Sequence, residues 1–374
     1  MAGVPLLDRC PGVLRPHQAE DGLVVRLRIP GGQTTAEVLI ALCRLAAAFS
    51  VNPGGAGYVQ LTSRGNLQLR GLDGSRFAEL TQEIFALGLL PSFAHDRVRN
   101  IVASPLTGLS AERPDLRPMV SELDAALCAD PALAELPGRF LFALDDGRGD
   151  VASLAFDLGY RAVDDDHGLL VVGGPSPRGR LVPRSEAGPA MIDLAREVVR
   201  RRASIADPGW RVWDLPGLTD GMAEIALPHG PTVPLGVVAG AASVKAPLGL
   251  LTAGQLSAVE AAAAGRPVVI TPWRGLVVVE AAGALVSLAH VGLITDDTSH
   301  WSMITACIGA PGCARSSIDT GALAAALVDH GAPDRPLHLS GCSRRCGAPN
   351  HDHLDLVAPS LDEALARVGV PAHA

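Results

Sequence analysis

Residues 305–316, T-A-C-I-G-A-P-G-C-A-R-S, and 338–350, H-L-S-G-C-S-R-R-C-G-A-P-N, hold four of the chain's seven cysteines as two pairs. Cys307 and Cys313 have five residues between them, Cys342 and Cys346 have three. Soft thiolates in fours are the ligand set of iron–sulfur clusters. Gly309, Pro311, Gly312, Gly341, Gly347 and Pro349 surround the sulfurs, so both segments read as loops able to bend closely around an inorganic core. Structural zinc also accepts four cysteines, but its paired ligands sit about two to four residues apart, which the first pair does not match. Disulfides need an oxidising compartment, and the opening M-A-G-V-P-L-L-D-R-C offers neither the basic segment nor the apolar run of a signal peptide. Cys10, Cys43 and Cys128 lie singly and read as small buried hydrophobes.

The chain has 374 residues, enough for two or three domains, with 48% apolar and 19% charged residues. Its 31 Lys and Arg against 39 Asp and Glu give a net charge of −8, so the chain as a whole carries no electrostatic footprint for nucleic acid. The most apolar regions, 233–251 and 281–294, are interrupted by Pro234, Lys245 and Pro247 or are too short to span a bilayer. A soluble cytoplasmic protein is expected.

Working outward, residues 23–29 alternate and are rich in branched side chains, predicting a strand. Thr34-x-x-Glu37 then forms a capping-box signature before Val38, Leu42, Leu45 and Phe49, which recur at helical spacing. The strand Y-V-Q-L-T-S-R-G-N-L-Q-L-R (58–70) completes a strand–helix–strand unit. A weaker copy has Thr252-x-x-Gln255, an alanine-rich helix and R-P-V-V-I-T-P-W-R-G-L-V-V-V (266–279). Val59, Leu61, Thr62 and Leu67 align without gaps on Val268, Ile270, Thr271 and Leu276. Thr34 to Thr62 spans 28 residues and Thr252 to Thr271 spans 19, so the second copy lacks a loop of nine. Two such copies predict a pseudo-twofold protein rather than a solenoid.

Between the copies, residues 75–87 read as a helix ended by Gly88. Strands at 139–144 and 151–156 flank D-D-G-R-G-D, a hairpin-like turn signal. Residues 175–180 read as a loop and 187–203 as a helix; further helices are expected at 320–329, ended by Gly331, and after the cap Ser360-x-x-Glu363. No G-x-G-x-x-G or Walker motif offers a nucleotide-phosphate cradle.

C-x5-C followed by S-G-C-x3-C-G is similar to the cluster motif of the sulfite and nitrite reductase family. The resemblance implies that Cys307, Cys313, Cys342 and Cys346 hold a 4Fe–4S cluster, with sirohaem attached through Cys346 in the reductases. It also implies an α+β fold, a pseudo-twofold repeat of ferredoxin-like half-units combined with two larger α/β units. The expected boundaries are 1–90 and 206–288 for the half-units, 91–205 for the first α/β unit and 289–374 for the cluster-bearing one.

Arg64 in T-S-R-G-N and Arg99 in V-R-N-I-V-A-S-P-L-T-G fall where this family places arginines that contact sirohaem carboxylates or the bound anion. Guanidinium suits that task because it offers forked donors and stays charged when partly buried; the competing reading is a solvated arginine at a strand end. The reductases carry two lysines, one residue apart, just after a Leu-Pro. Here L-P-G-R-F-L puts Arg139 at the first position and Leu141 at the second, and leucine can neither bind an anion nor deliver protons.

The chain therefore resembles more the precorrin-3B synthases, the oxygen-using branch of the same family in aerobic cobalamin biosynthesis. That resemblance implies a monooxygenase acting on precorrin-3A, a tetrapyrrole rimmed with carboxylates that Arg64, Arg99 and Arg139 would bind. C20 hydroxylation and γ-lactone closure would use oxygen and NADH-derived electrons. With no nucleotide motif in the chain, those electrons are expected through a separate reductase or ferredoxin. The branch also implies a mononuclear non-haem iron. His351, Asp352 and His353 have ligand chemistry of the two-histidine, one-carboxylate kind, although three consecutive residues rarely converge on one metal and an exposed polar turn is the plainer reading. His95 and Asp96 are open to the same two readings. The alternatives are a sirohaem reductase and a non-catalytic cluster protein that carries electrons or senses oxygen.

Overall fold

The structure, a computed structural model, describes residues 10–52, 57–205, 211–313, 315–331, 333, 335–349 and 352–369. Both copies recognised in the sequence are present, each an antiparallel sheet with a helix against it. In the first, the strands run in the order His17–Ala19, Gly22–Leu27, Leu67–Leu72, Tyr58–Leu61 and Leu250–Thr252. In the second the order is Gly236–Val238, Ala241–Lys245, Gly275–Val278, Val268–Ile270 and Gln33–Thr34. The last strand of each sheet comes from the other copy: Leu250 pairs with Gln60, and Gln33 with Val269. The copies have exchanged the short strand that precedes their helices.

The crossover has the same backbone twice. Pro30, Gly31 and Gly32 turn the first chain with φ of 63° and 69° at the glycines, and Pro247, Leu248 and Gly249 turn the second with 53° and 77°. Gly32 cannot be replaced cheaply, because a Cβ there would overlap the carbonyl oxygen of Ile270. The helices Ala36–Ala48 and Ala253–Ala263 pack on each other, and Leu27, Leu39, Leu69, Leu256, Val268 and Leu276 meet in one core. Thr252 and Gln255 form the expected capping box. In the first copy the cap is Thr35, whose Oγ1 accepts from the Val38 N–H, while Thr34 belongs to the exchanged strand. Thr35 to Thr62 spans 27 residues, so the difference between the copies is eight.

The second unit is a six-stranded sheet in the order Ala223–Glu224, Arg178–Pro183, His167–Val172, Leu158–Ala162, Phe142–Asp145 and Ile101–Ala103, with helices Arg117–Ala129 and Arg184–Ala203 on one face. Four expectations change here. Residues 145–150 do not turn a hairpin: Asp145 accepts from the Gly147 and Gly149 N–H groups at 2.8 and 2.9 Å, curling the chain into a loop. The strand that follows is Leu158–Ala162, parallel to Phe142–Asp145, and residues 151–156 are irregular. The expected loop at 175–180 already enters the strand Arg178–Pro183. Finally, Val212, Leu215, Leu218 and Met222 lie in this unit's core and Ala223–Glu224 on its sheet, so the unit extends well past residue 205.

The fourth sheet is small and parallel: Ile304–Ala306, Leu337–Ser340 and Leu354–Val357, with helices Thr320–His330 and Leu361–Val368 against it. Ser360 and Glu363 form the capping box read from the sequence. Among the described residues no helix is long and apolar enough to cross a membrane.

Two buried carboxyls of the second unit make a pH prediction. Burial pushes Asp150, which accepts from Ser104 Oγ, and Asp157, which accepts from the Leu141 N–H, up to about 6. Between about pH 4 and 6 these groups stay protonated in the native state while the unfolded chain ionises. Their contribution to stability is therefore fully present below the unfolded pKa and is lost as the pH rises through 6, by roughly 3 kcal/mol each. Thermal melts at pH 4.5 and 7.5 should show that slope, and Asp150→Asn should remove about half of it; an unchanged slope in the variant refutes the assignment.

Candidate active site

The parallel sheet of the last unit places two of the four paired cysteines side by side. Cys307 follows Ile304–Ala306 and Cys342 follows Leu337–Ser340 by one residue beyond Gly341, at the carboxyl ends of neighbouring parallel strands. The Cys307 N–H donates to the Leu339 carbonyl, its own carbonyl accepts from Thr320 Oγ1 at 2.7 Å, and the Gly341 N–H points at Cys307 Sγ at 3.2 Å. A side chain at Gly341 would overlap Ser316, so that amide can approach the sulfur only from a glycine. Cys313 and Cys346 close the two loops; none of the seven cysteines is in a disulfide, and Cys346 is exposed.

The donor set fits a cluster: four thiols on two loops that leave the carboxyl ends of neighbouring strands, with a backbone N–H already aimed at a sulfur. Among the described residues no three Cys, His, Asp or Glu side chains stand as a formed metal-binding set. Cys43 is buried as expected, with Sγ donating to the Gly57 carbonyl; Cys10 and Cys128 are half-buried.

Facing these loops is the outer face of the first half-unit sheet. Strand alternation sends Val25, Leu27, Val59, Leu61, Leu67 and Leu69 inward, which leaves Arg26, Gln60, Gln68 and Arg70 on the other side. Arg26 donates to Gln68 Oε1 at 3.0 Å and Gln68 to Gln60 Oε1 at 2.7 Å, a polar ladder across three strands. Sequence reasoning passed over this face, although L-Q-L-R and Y-V-Q-L carry its signal as polar residues at every second position. A cavity of about 310 Å³ is lined by Tyr58, Arg70 and Leu250 together with Pro311 and Gly312. Another of about 410 Å³ lies between Ser63, Lys245, Arg274 and Trp301 and the Gly347–Pro349 turn that follows Cys346. Burial lowers the pKa of both Lys245 and Arg274. A cleft of about 910 Å³ around Phe156, Pro175 and Trp213 contains none of the predicted site residues.

The predicted arginines separate. Arg64, on the tip between Tyr58–Leu61 and Leu67–Leu72, donates to the Arg139 carbonyl at 2.6 Å, and burial lowers its pKa despite the opposing charge of Asp157. Arg139 is exposed. These two therefore meet. Arg99 does not join them: its guanidinium forks onto Asp124 at 2.8 and 2.7 Å, donates to the Leu89 carbonyl, and is 7% exposed. With all three nitrogens engaged, Arg99 ties the helix Arg117–Ala129 to the Leu89 end of the first half-unit, and it stands apart from the Arg64–Arg139 pair.

The Leu141 position is as informative. Its side chain is 2% exposed and packs with Val102, Ala143, Phe156 and Val171. Of the candidate iron ligands, His351 lies outside the described residues. Asp352 is exposed, and His353 meets the ring of the fully buried His338 edge-on, with centroids 6.0 Å apart. His95 shares hydrogen bonds with Ser92 Oγ and the Asp130 carbonyl, and Asp96 accepts from the Leu14 N–H, so both are structural.

Residues 15–87 match the nitrite/sulfite reductase ferredoxin-like half domain. The chain superposes on the NirA protein of Mycobacterium tuberculosis with a TM-score of 0.64 over 86% of this chain and 68% of that one, at 21% identity, a likeness of fold. It is 34% identical to a ferredoxin–nitrite reductase of Synechococcus elongatus, over 49% of this chain and 37% of that protein. Together with the duplicated half-units, these findings show a likeness to the nitrite and sulfite reductases, in sequence over residues 15–87 and in fold over most of the chain. It also resembles a precorrin-3B synthase from Sinorhizobium, to which it is 29% identical over 94% of this chain and 81% of that protein.

Proposed function

We propose that the protein is an oxidoreductase of the precorrin-3B synthase kind, a monooxygenase that hydroxylates precorrin-3A at C20 and closes the γ-lactone. The observation that carries this reading is Leu141. Where the reductases have a lysine to bind and protonate a small anion, this chain buries leucine among Val102, Ala143, Phe156 and Val171, and that side chain can neither carry a charge nor donate a proton. The near full-length likeness to a precorrin-3B synthase supports it independently.

In this reading the carboxylate-rimmed macrocycle lies between the first half-unit and the cysteine loops. Arg64 and Arg139 hold carboxylates at one side, and the Arg26–Gln68–Gln60 ladder offers donors along the sheet. Cys307, Cys313, Cys342 and Cys346 would hold a 4Fe–4S cluster, which supplies one-electron transfer when bound. One atom of dioxygen enters the product as the C20 hydroxyl; the other leaves as water with two electrons and two protons from NADH and a proton. The NADH electrons come through a separate reductase or ferredoxin, in keeping with a sequence that carries no G-x-G-x-x-G or Walker motif.

Aerobic incubation of cluster-loaded protein with precorrin-3A, NADH and a reductase–ferredoxin pair should give a product heavier by one oxygen atom, labelled when labelled oxygen gas is used. Purified protein with NADH alone should turn over poorly. Robust sulfide or ammonia formation from sulfite or nitrite, after sirohaem is offered, would restore the reductase reading. Absence of turnover on all three substrates would favour a non-catalytic cluster protein.

A further inference from the structure

The loop that ends in Cys313 is held from outside its own unit. Arg70, on the strand Leu67–Leu72 of the first half-unit, donates from Nη2 to the carbonyl of Gly312 at 2.8 Å, the peptide that leads directly into Cys313. The same guanidinium forks onto Asp21 at 2.7 and 2.8 Å. Both side chains are nearly buried, 12% and 9% exposed, at the floor of the cavity between the sheet and the loop. An ion pair placed for stability alone has no need to cap a carbonyl in another unit. Asp21 fixes the plane of the guanidinium, and one of its nitrogens serves both partners.

We propose that Arg70, oriented by Asp21, is a positioning residue for the Cys313 loop and a fixed positive charge beside the cluster. The proposal rests on the cluster reading of the four cysteines. Charge and hydrogen bonding around a cluster set its reduction potential, and a charge-assisted bond to the Gly312 carbonyl restrains the loop that carries one sulfur. The charged groups facing that loop across the cavity are Arg70 and Asp21, with Asp319 on the loop's own side.

The test is an EPR-monitored redox titration of the full chain, with the cluster loaded anaerobically, beside the rate of iron release to a chelator. Arg70→Gln removes a positive charge and should move the potential down; Asp21→Asn removes a negative one and should move it up. Both loosen the loop and should speed iron release by about tenfold or more. Arg70→Lys keeps the charge but loses the fork, so its potential should stay near that of the parent while iron release still accelerates. If Arg70→Gln does not fold, the other two variants carry the same test as a rise and a null. Potentials that stay put in all variants, or move the same way in Arg70→Gln and Asp21→Asn, reduce the pair to a structural contact and overturn the proposal. A parent chain that takes up no iron and sulfide at these cysteines overturns the cluster reading itself, and this proposal with it.

Discussion

Replacing Cys307, Cys313, Cys342 or Cys346 singly by serine is expected to remove most of the iron and acid-labile sulfide from anaerobically prepared protein. A thiolate is a far better ligand for iron in a cluster than a hydroxyl, and no spare cysteine stands on either loop to take over. The effect should be largest at Cys307, whose sulfur already receives the Gly341 N–H at the strand end. Serine at Cys10, Cys43 or Cys128 should leave iron content unchanged, since Cys43 Sγ bonds the Gly57 carbonyl and none of the three lies on the cysteine loops. Full iron content in all four single variants overturns the assignment.

The second large effect concerns stability. Asp124→Ala should destabilise the chain by about 3 kcal/mol, because it leaves the nearly buried Arg99 guanidinium without its counter-charge. The shift would appear in the urea midpoint with an unchanged m-value. Replacing both partners by leucine should cost less than the single change, since the unpaired charge is what is expensive. Arg64→Gln should behave in the opposite way, with small loss of stability and roughly one to two decades of weaker tetrapyrrole binding, the value of one charge-assisted contact. Arg99→Leu that weakens tetrapyrrole binding as much as Arg64→Gln, with the fold intact, returns Arg99 to the site.

The two arginines show where the sequence was legible and where it was not. Arg64 stands on a tight tip whose residues, T-S-R-G-N, dictate the turn: Thr62 Oγ1 accepts the Arg64 and Asn66 N–H groups, and Gly65 takes φ of 64°. Local chemistry therefore fixes its position on the turn. Arg99 sits in an equally suggestive motif, but its partner is on a helix 25 residues away, and nothing local records that pairing. The half-unit repeat was readable for the first reason, through capping threonines and alternating strands. The exchanged strands were not readable, because a two-residue or three-residue strand contains too little pattern to reveal its partner. The turn at 145–150 was misread because glycine and aspartate serve equally in a hairpin and in a loop whose carboxylate gathers backbone N–H groups. The small parallel sheet under the cysteines depends on tertiary packing, yet the cysteine loops above it were evident from the paired cysteines and the glycines and prolines around them.

The exchange of strands also bears on how this chain comes off the ribosome. The first sheet lacks its edge until residue 250 has been made, although the strand it pairs with, around Gln60, is finished 190 residues earlier. At ordinary elongation rates of about 5–20 residues per second, that interval is on the order of ten seconds or more. Through it Tyr58–Leu61 presents an unpaired backbone to the cytosol or to a neighbouring nascent chain. The N-terminal half expressed alone would keep that open edge permanently, which makes it a source of intermolecular pairing rather than a separable module.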